Sequence, residues 1–168
     1  QKHMKLIPPH NHSPAEDAYY TNITDFPAFT VNNFGKGRGV FIPWKPGHEY
    51  YNLGFPAMSN FMADVLENAA GLYAVGGNLP PMVEVSHTRR PDGSADYVHL
   101  VNDSGYFSGS YFAPIELRNL TVEIPWTGKA PSSVISMVSG TALKHELEGD
   151  TLRLFFDRLN LFEAVKIV

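Results

Sequence analysis

From residue 82 onward the sequence is a succession of short β-rich runs, each closed by turn-forming residues. No other feature constrains the fold as much. Runs over 82–88 and 95–102 flank Pro91-Asp92-Gly93, where proline presets φ and glycine permits the tight reversal. Further runs cover 115–124, 134–138, 142–147, 151–156 and 161–168, and Gly149-Asp150 is a two-residue link suited to a hairpin. Leu152, Leu154 and Phe156 alternate with Thr151, Arg153 and Phe155, the period-two signature of a strand with one buried face. Leu143 and Leu147 share a face with His145 in the same way. About seven short strands at this spacing predict an antiparallel β-sandwich over 80–168.

The region before residue 79 has a different character. Its first 25 residues are polar and rich in loop formers, including Pro8-Pro9 and His10-Asn11-His12-Ser13-Pro14, and read as an extended lead-in. Two β-rich runs, 26–32 and 40–44, then surround a turn carrying Gly35, Gly37 and Gly39, which predicts a hairpin. As a phosphate loop the same stretch is weak, because no helical pattern follows it. One helix is signalled: Met58, Phe61, Met62, Val65, Leu66 and Ala69 recur at spacings of three and four, with Pro56 in the first turn and Gly71 past the end. The expected fold class is therefore α+β, mainly β, with a hairpin and one helix leading into the sandwich.

Composition removes several functions. Thirteen Lys and Arg stand against 17 Asp and Glu, a net charge of -4, so no basic excess is available to neutralise nucleic-acid phosphates. The chain has no cysteine, which excludes disulfides, thiolate catalysis and Cys-ligated zinc within these residues. No run approaches the roughly 18–20 apolar residues that span a bilayer as a helix, so no membrane partner is expected. Gln1-Lys2-His3-Met4-Lys5 is not followed by the apolar segment of a secretion signal, and the start reads as the interior of a longer protein.

Catalytic and metal chemistry find little support. His10 and His12 lie beside Glu16 and Asp17, but no motif supplies a third ligand, so no metal and no cofactor are expected. His87, His99 and His145 fall inside strand patterns and read as framework residues. Glycoside cleavage needs two carboxyl groups about 5–9.5 Å apart in one cleft. Glu84, Glu116, Glu123, Glu148 and Glu163 instead look like solvent-facing members of strands, and no G-x-S-x-G elbow is present. No catalytic residue is assigned. An enzyme acting through an unrecognised acid pair is the third-ranked reading.

Aromatics are more suggestive. Two Trp, eight Tyr and eleven Phe accompany 13 prolines and 14 glycines, and the segment 105–114 (GYFSGSYFAP) gathers four rings between two strands. Tyr106, Phe107, Tyr111 and Phe112, with Trp44 from the earlier region, could stack on sugar faces or dock on a neighbouring domain. Docking is favoured, because Gly and Ser make the loop adaptable without fixing a flat platform. The sequons at Asn22, Asn102 and Asn119 are too short to decide anything.

The stretch 26–44, FPAFTVNNFGKGRGVFIPW, together with Gly47, Tyr50-Tyr51 and Gly54-Phe55-Pro56, resembles the end of the β-galactosidase trimerisation domain. That domain is related to the glutamine-amidotransferase fold. In the glycoside hydrolases that carry it, it follows a catalytic (β/α)8 barrel and precedes a C-terminal β-sandwich. Residues 97–105 are similar to the opening strand and turn of such a sandwich, and 159–168 look like its last strand. Pro8-Pro9 and Glu16-Asp17 match a loop before the hairpin. The resemblance implies that 1–79 is the remnant of a trimerisation domain and 80–168 the sandwich. The barrel and its carboxylates lie outside these residues.

These readings lead to a non-catalytic accessory region of a glycoside hydrolase, serving domain packing or oligomer assembly. Its expected partners are the absent barrel and further copies of itself. Half of a parallel-sheet domain would leave an open strand edge and a bare helix face, which predicts self-association or docking of the hairpin and helix on the sandwich. The alternative is a carbohydrate-binding module that uses the loop 105–114.

Overall fold

The computed structural model describes residues 1–8, 14, 16, 17, 22–72 and 75–168. Pro9, His10 and His12 lie outside this set, so the lead-in and its histidine pair have no structural account. The chain forms two compact units, Gln1–Ala74 and Val75–Val168.

The first unit contains a three-stranded antiparallel sheet in the order β1 (Lys2–Lys5), β2 (Pro27–Phe34), β3 (Gly37–Phe41). The expected hairpin is β2–β3: Phe34 pairs with Gly37, and Gly35 takes φ 57° in the connection. Strand β1 was not anticipated, because it has only four residues, three of them paired, and their side chains show no alternation. Helix α1 (Pro46–Leu53) was also missed. It carries boundary signals, a proline in its first turn and Gly54 closing it at φ 63°, but only Pro46 is buried, so no apolar stripe announces it.

Helix α2 (Pro56–Asp64) begins where expected and then widens into a π-turn over Val65–Ala69, closed by the Ala70 N–H donating to the Val65 carbonyl at 2.8 Å. The wider turn rotates the later positions. Val65 is buried, whereas Leu66, expected on the same face, is 43% exposed. The unit's core is small: Phe61 packs edge-on to Phe29 at 5.7 Å and against Trp44 at 5.2 Å. Outside it, Phe34 and Tyr51 are 86% and 85% exposed.

The second unit is mainly β, with two four-stranded antiparallel sheets forming a sandwich. One sheet runs β10 (Val134–Ser136), β13 (Phe162–Ile167), β6 (Asp96–Asn102), β5 (Val83–Arg89). The other runs β11 (His145–Glu148), β12 (Thr151–Leu159), β9 (Leu117–Pro125), β4 (Gly76–Gly77). Their inner faces interdigitate in one core: Val98 and Leu100 from β6 and Val165 and Ile167 from β13 meet Val122, Ile124, Leu152 and Leu154, all 0% exposed. The alternation read at 151–156 is the cause. Leu152, Leu154 and Phe156 point inward while Arg153 faces out and pairs with Glu123 at 2.8 Å.

Strand β4 went unpredicted, since two glycines carry no strand signal. It is held by close backbone approach and by Asn78. The Asn78 amide donates to the Asn119 carbonyl at 2.9 Å, and its Oδ1 accepts from the Thr121 N–H at 2.7 Å. At Gly77, φ is 123° and an added Cβ would lie 2.0 Å from the Thr121 carbonyl oxygen. Gly77→Ala is therefore expected to detach this short edge strand at a cost of about 1–2 kcal/mol, read from urea unfolding. Wild-type stability in that variant would count against the close approach.

Candidate functional site

The segment 105–114 folds as a β-hairpin of two short strands, β7 (Tyr106–Phe107) and β8 (Ser110–Tyr111). Ser108 (φ 46°) and Gly109 (φ 88°) make a two-residue connection in which both central residues have positive φ, the geometry that matches strand twist. Tyr106 pairs with Tyr111 across the strands, with ring centroids 5.2 Å apart and planes tilted by 44°.

The base of the hairpin is fixed from beneath. Strand β6 ends at Asn102, whose side chain is buried and fully engaged. Its Nδ2 donates to the Ile115 carbonyl at 2.8 Å and the Asn160 carbonyl at 2.7 Å, while its Oδ1 accepts from the Ser104 N–H at 3.2 Å. One residue thus ties the start of the hairpin, the segment after it and the β12–β13 turn. Ser104 adds a second tie, its hydroxyl accepting from the Ile115 N–H at 2.9 Å. Gly105 completes the base. The Phe112 N–H donates to its carbonyl at 2.8 Å, and a Cβ there would come within 2.2 Å of the Phe112 oxygen. The sequence marks Asn102 as the end of a strand and as a sequon, not as an anchor. Its burial and its use of both amide protons leave no room for a glycan in the folded chain.

Above this base the rings stand in solvent: Tyr106 is 51% exposed, Phe112 66%, Phe107 74% and Tyr111 79%. The structure therefore groups these four expected residues on one hairpin, with a tilted pair rather than a coplanar platform. Trp44 belongs to the other unit, where it packs against Phe61 and its indole N–H donates to the Ala28 carbonyl at 2.9 Å.

A polar cluster in the sandwich went unnoticed in the sequence. Asp96, 3% exposed, accepts from Arg89 Nε at 2.8 Å and Nη2 at 2.9 Å, and its Oδ2 lies 2.8 Å from His87 Nε2. The signal was available, because His87 and Arg89 share the parity of Val83 and Val85 on β5, so polar residues occupy an inward-facing register. Burial alone would raise the Asp96 carboxyl. Hydrogen bonds from Arg89 and His87, with their charge, outweigh it and hold the group below the usual carboxylate range. A carboxylate so paired has no proton to give near neutrality, and three donors already occupy it. The cluster is a structural clamp.

The glutamates expected to face solvent are partly engaged. Glu163 accepts from the buried Ser136 hydroxyl at 2.9 Å, Glu123 pairs with Arg153, and Glu116 pairs with Arg118. Among the described residues, no group of three or more His, Asp or Glu side chains converges as metal ligands, and every buried side-chain polar atom has a partner.

No family model matches this chain, and no curated protein matches it. Solved structures do. The α-L-fucosidase isoenzyme 2 from Paenibacillus thiaminolyticus superposes with a TM-score of 0.64 at 14% identity, over 89% of this chain. This chain shares the fold of part of that fucosidase. The match extends over more of the chain than either unit comprises, yet spans only 23% of the fucosidase chain. A cycloisomaltooligosaccharide glucanotransferase from Paenibacillus sp., solved with cycloisomaltoheptaose, matches 55% of this chain and 17% of its own at a TM-score of 0.37 and 14% identity.

Proposed function

We propose that this chain is a non-catalytic accessory region of a larger glycoside hydrolase, and that the aromatic hairpin 105–114 is the surface through which it packs on the catalytic barrel. The observation that carries this reading is the contrast between a rigid base and four rings that are 51–79% exposed. Rings held in water by a hairpin anchored through Asn102, Ser104 and Gly105 retain an unfavourable apolar surface that a partner would remove. The partial match to a fucosidase chain supports the same reading. So do the uncovered Phe34, Phe41 and Tyr51 of the first unit, which suit the remnant of a β-galactosidase trimerisation domain.

Without its barrel the chain should self-associate through the hairpin. Light scattering is expected to show an average mass that rises toward a dimer with concentration, and Phe107→Ser with Tyr111→Ser should abolish the rise while circular dichroism stays unchanged. The exposure of the rings also favours a second reading, a sugar-binding module. Glycan binding that is lost on Tyr111→Ala in a chain monomeric at all concentrations would replace the packing role with that one.

A further inference from the structure

In the first unit, an open groove of about 800 Å³ lies between the three-stranded sheet and the segment formed by α2 and its π-turn. Sites for small molecules occupy about 300–1,000 Å³. The apolar part of the groove's lining comprises Met4, Phe29, Val31, Phe61, the buried Val65 and Ala69. His3 lies flat on Phe29, with ring centroids 4.7 Å apart and planes 11° from parallel, so one wall is a stacked pair of rings.

The rim has the opposite character. Asn32, Asn33 and Asn68 contribute amides, while Arg38 and Asp64 contribute one charge of each sign. Arg38 is held in place, its Nε donating to Asn33 Oδ1 at 3.2 Å and its Nη1 to the Ala69 carbonyl at 2.9 Å. A guanidinium has five N–H donors, so the same fork keeps donors for a ligand.

We propose that this groove binds a neutral oligosaccharide. A sugar ring presents apolar C–H patches, which suit phenyl rings, and hydroxyls that both donate and accept. Carboxamides match that duality better than any other side chain, since each has two donors and an acceptor. The opposed side-chain charges of Arg38 and Asp64 offset each other, so the side chains of the lining do not select for phosphorylated, acidic or amino sugars. The site goes beyond the accessory-region reading. It lies in the other unit from the hairpin, so either can fail without the other.

The test is a titration of the isotopically labelled chain, followed by amide NMR. Cellotetraose, xylotetraose and galactobiose serve as neutral probes, with trigalacturonate and chitotriosamine as charged ones. At least one neutral probe should shift the amides of Asn32, Asn33, Arg38 and Asn68, and Arg38→Ala should weaken that binding by about tenfold or more, the loss of a charge-assisted hydrogen bond. Asp64→Asn and Asn68→Ala, both at exposed positions, should each weaken it by about threefold to tenfold and keep the test readable if Arg38→Ala unfolds. Tyr111→Ala should leave the titration unchanged. The proposal is overturned if no neutral probe causes a shift up to about 20 mM on a folded sample, if a charged probe binds more tightly, if the shifts fall on the hairpin, or if the groove signals vanish through self-association.

Discussion

Replacing Asn102 by alanine is expected to remove about 3 kcal/mol from the stability of the sandwich, the largest effect of any alanine substitution outside its apolar core. The side chain makes three hydrogen bonds and is 1% exposed. Truncation leaves the Ile115 and Asn160 carbonyls and the Ser104 N–H without their partner, each at a desolvation cost of about 1–3 kcal/mol before water or relaxation compensates. Asn102→Asp is a sharper probe. It keeps the shape but turns two donors into acceptors facing two carbonyls, and buries a charge. That variant should be less stable than Asn102→Ala near neutral pH and recover partly in acid, where a protonated carboxyl can again donate one bond. Urea unfolding at two pH values checks both. A loss under about 1 kcal/mol for Asn102→Ala would mean that the hairpin base is hydrated and that Asn102 does not organise it.

The Asp96 clamp predicts an asymmetric pair of mutants. Arg89→Ala strands a buried carboxylate with only His87 for company, whereas Asp96→Ala frees an arginine whose side chain is already 51% exposed and can turn to water. The first should cost about 2–3 kcal/mol and the second about 1–2, both below the value for a fully buried pair because of that exposure. The pH dependence follows from the lowered Asp96 pKa. A folded-state value below the unfolded one, about 3.9, stabilises the chain above that pH, and the stabilisation is lost as pH falls through the folded value. In Arg89→Ala the carboxyl loses its strongest counterweight to burial, so acid unfolding should begin at higher pH than in the wild type. In Asp96→Ala the acid limb should flatten. Equal costs for the two substitutions, or an acid limb that does not move in Arg89→Ala, would remove the clamp from the account.

Legibility in the sequence followed the strength of period-two alternation. Strands β5, β6, β9 and β12 alternate over six or more residues with one face buried, and these four and β13 each lie within two or three residues of the expected span. Strands β4, β7 and β8 have two residues each, too few to establish any period, and were invisible. Helix α1 had correct boundary residues but no stripe, and α2 had a stripe that its π-turn twisted out of register. In the candidate site, ring-forming residues were readable as a cluster because they are adjacent in sequence. The groups that position them were not. Asn102 reaches Asn160 across 58 positions, and no local pattern encodes such a bond. The groove in the first unit was hidden for the same reason, since it brings together residues near positions 3, 30 and 65.

The construction of the hairpin separates recognition from folding. Its base is held by backbone contacts, one glycine and a buried amide, none of which depends on which side chains occupy 106, 107, 111 and 112. Those four positions are therefore free to vary in evolution, or to be exchanged by an engineer, at little cost to the sandwich, so the choice of what it touches can change faster than the body that carries it.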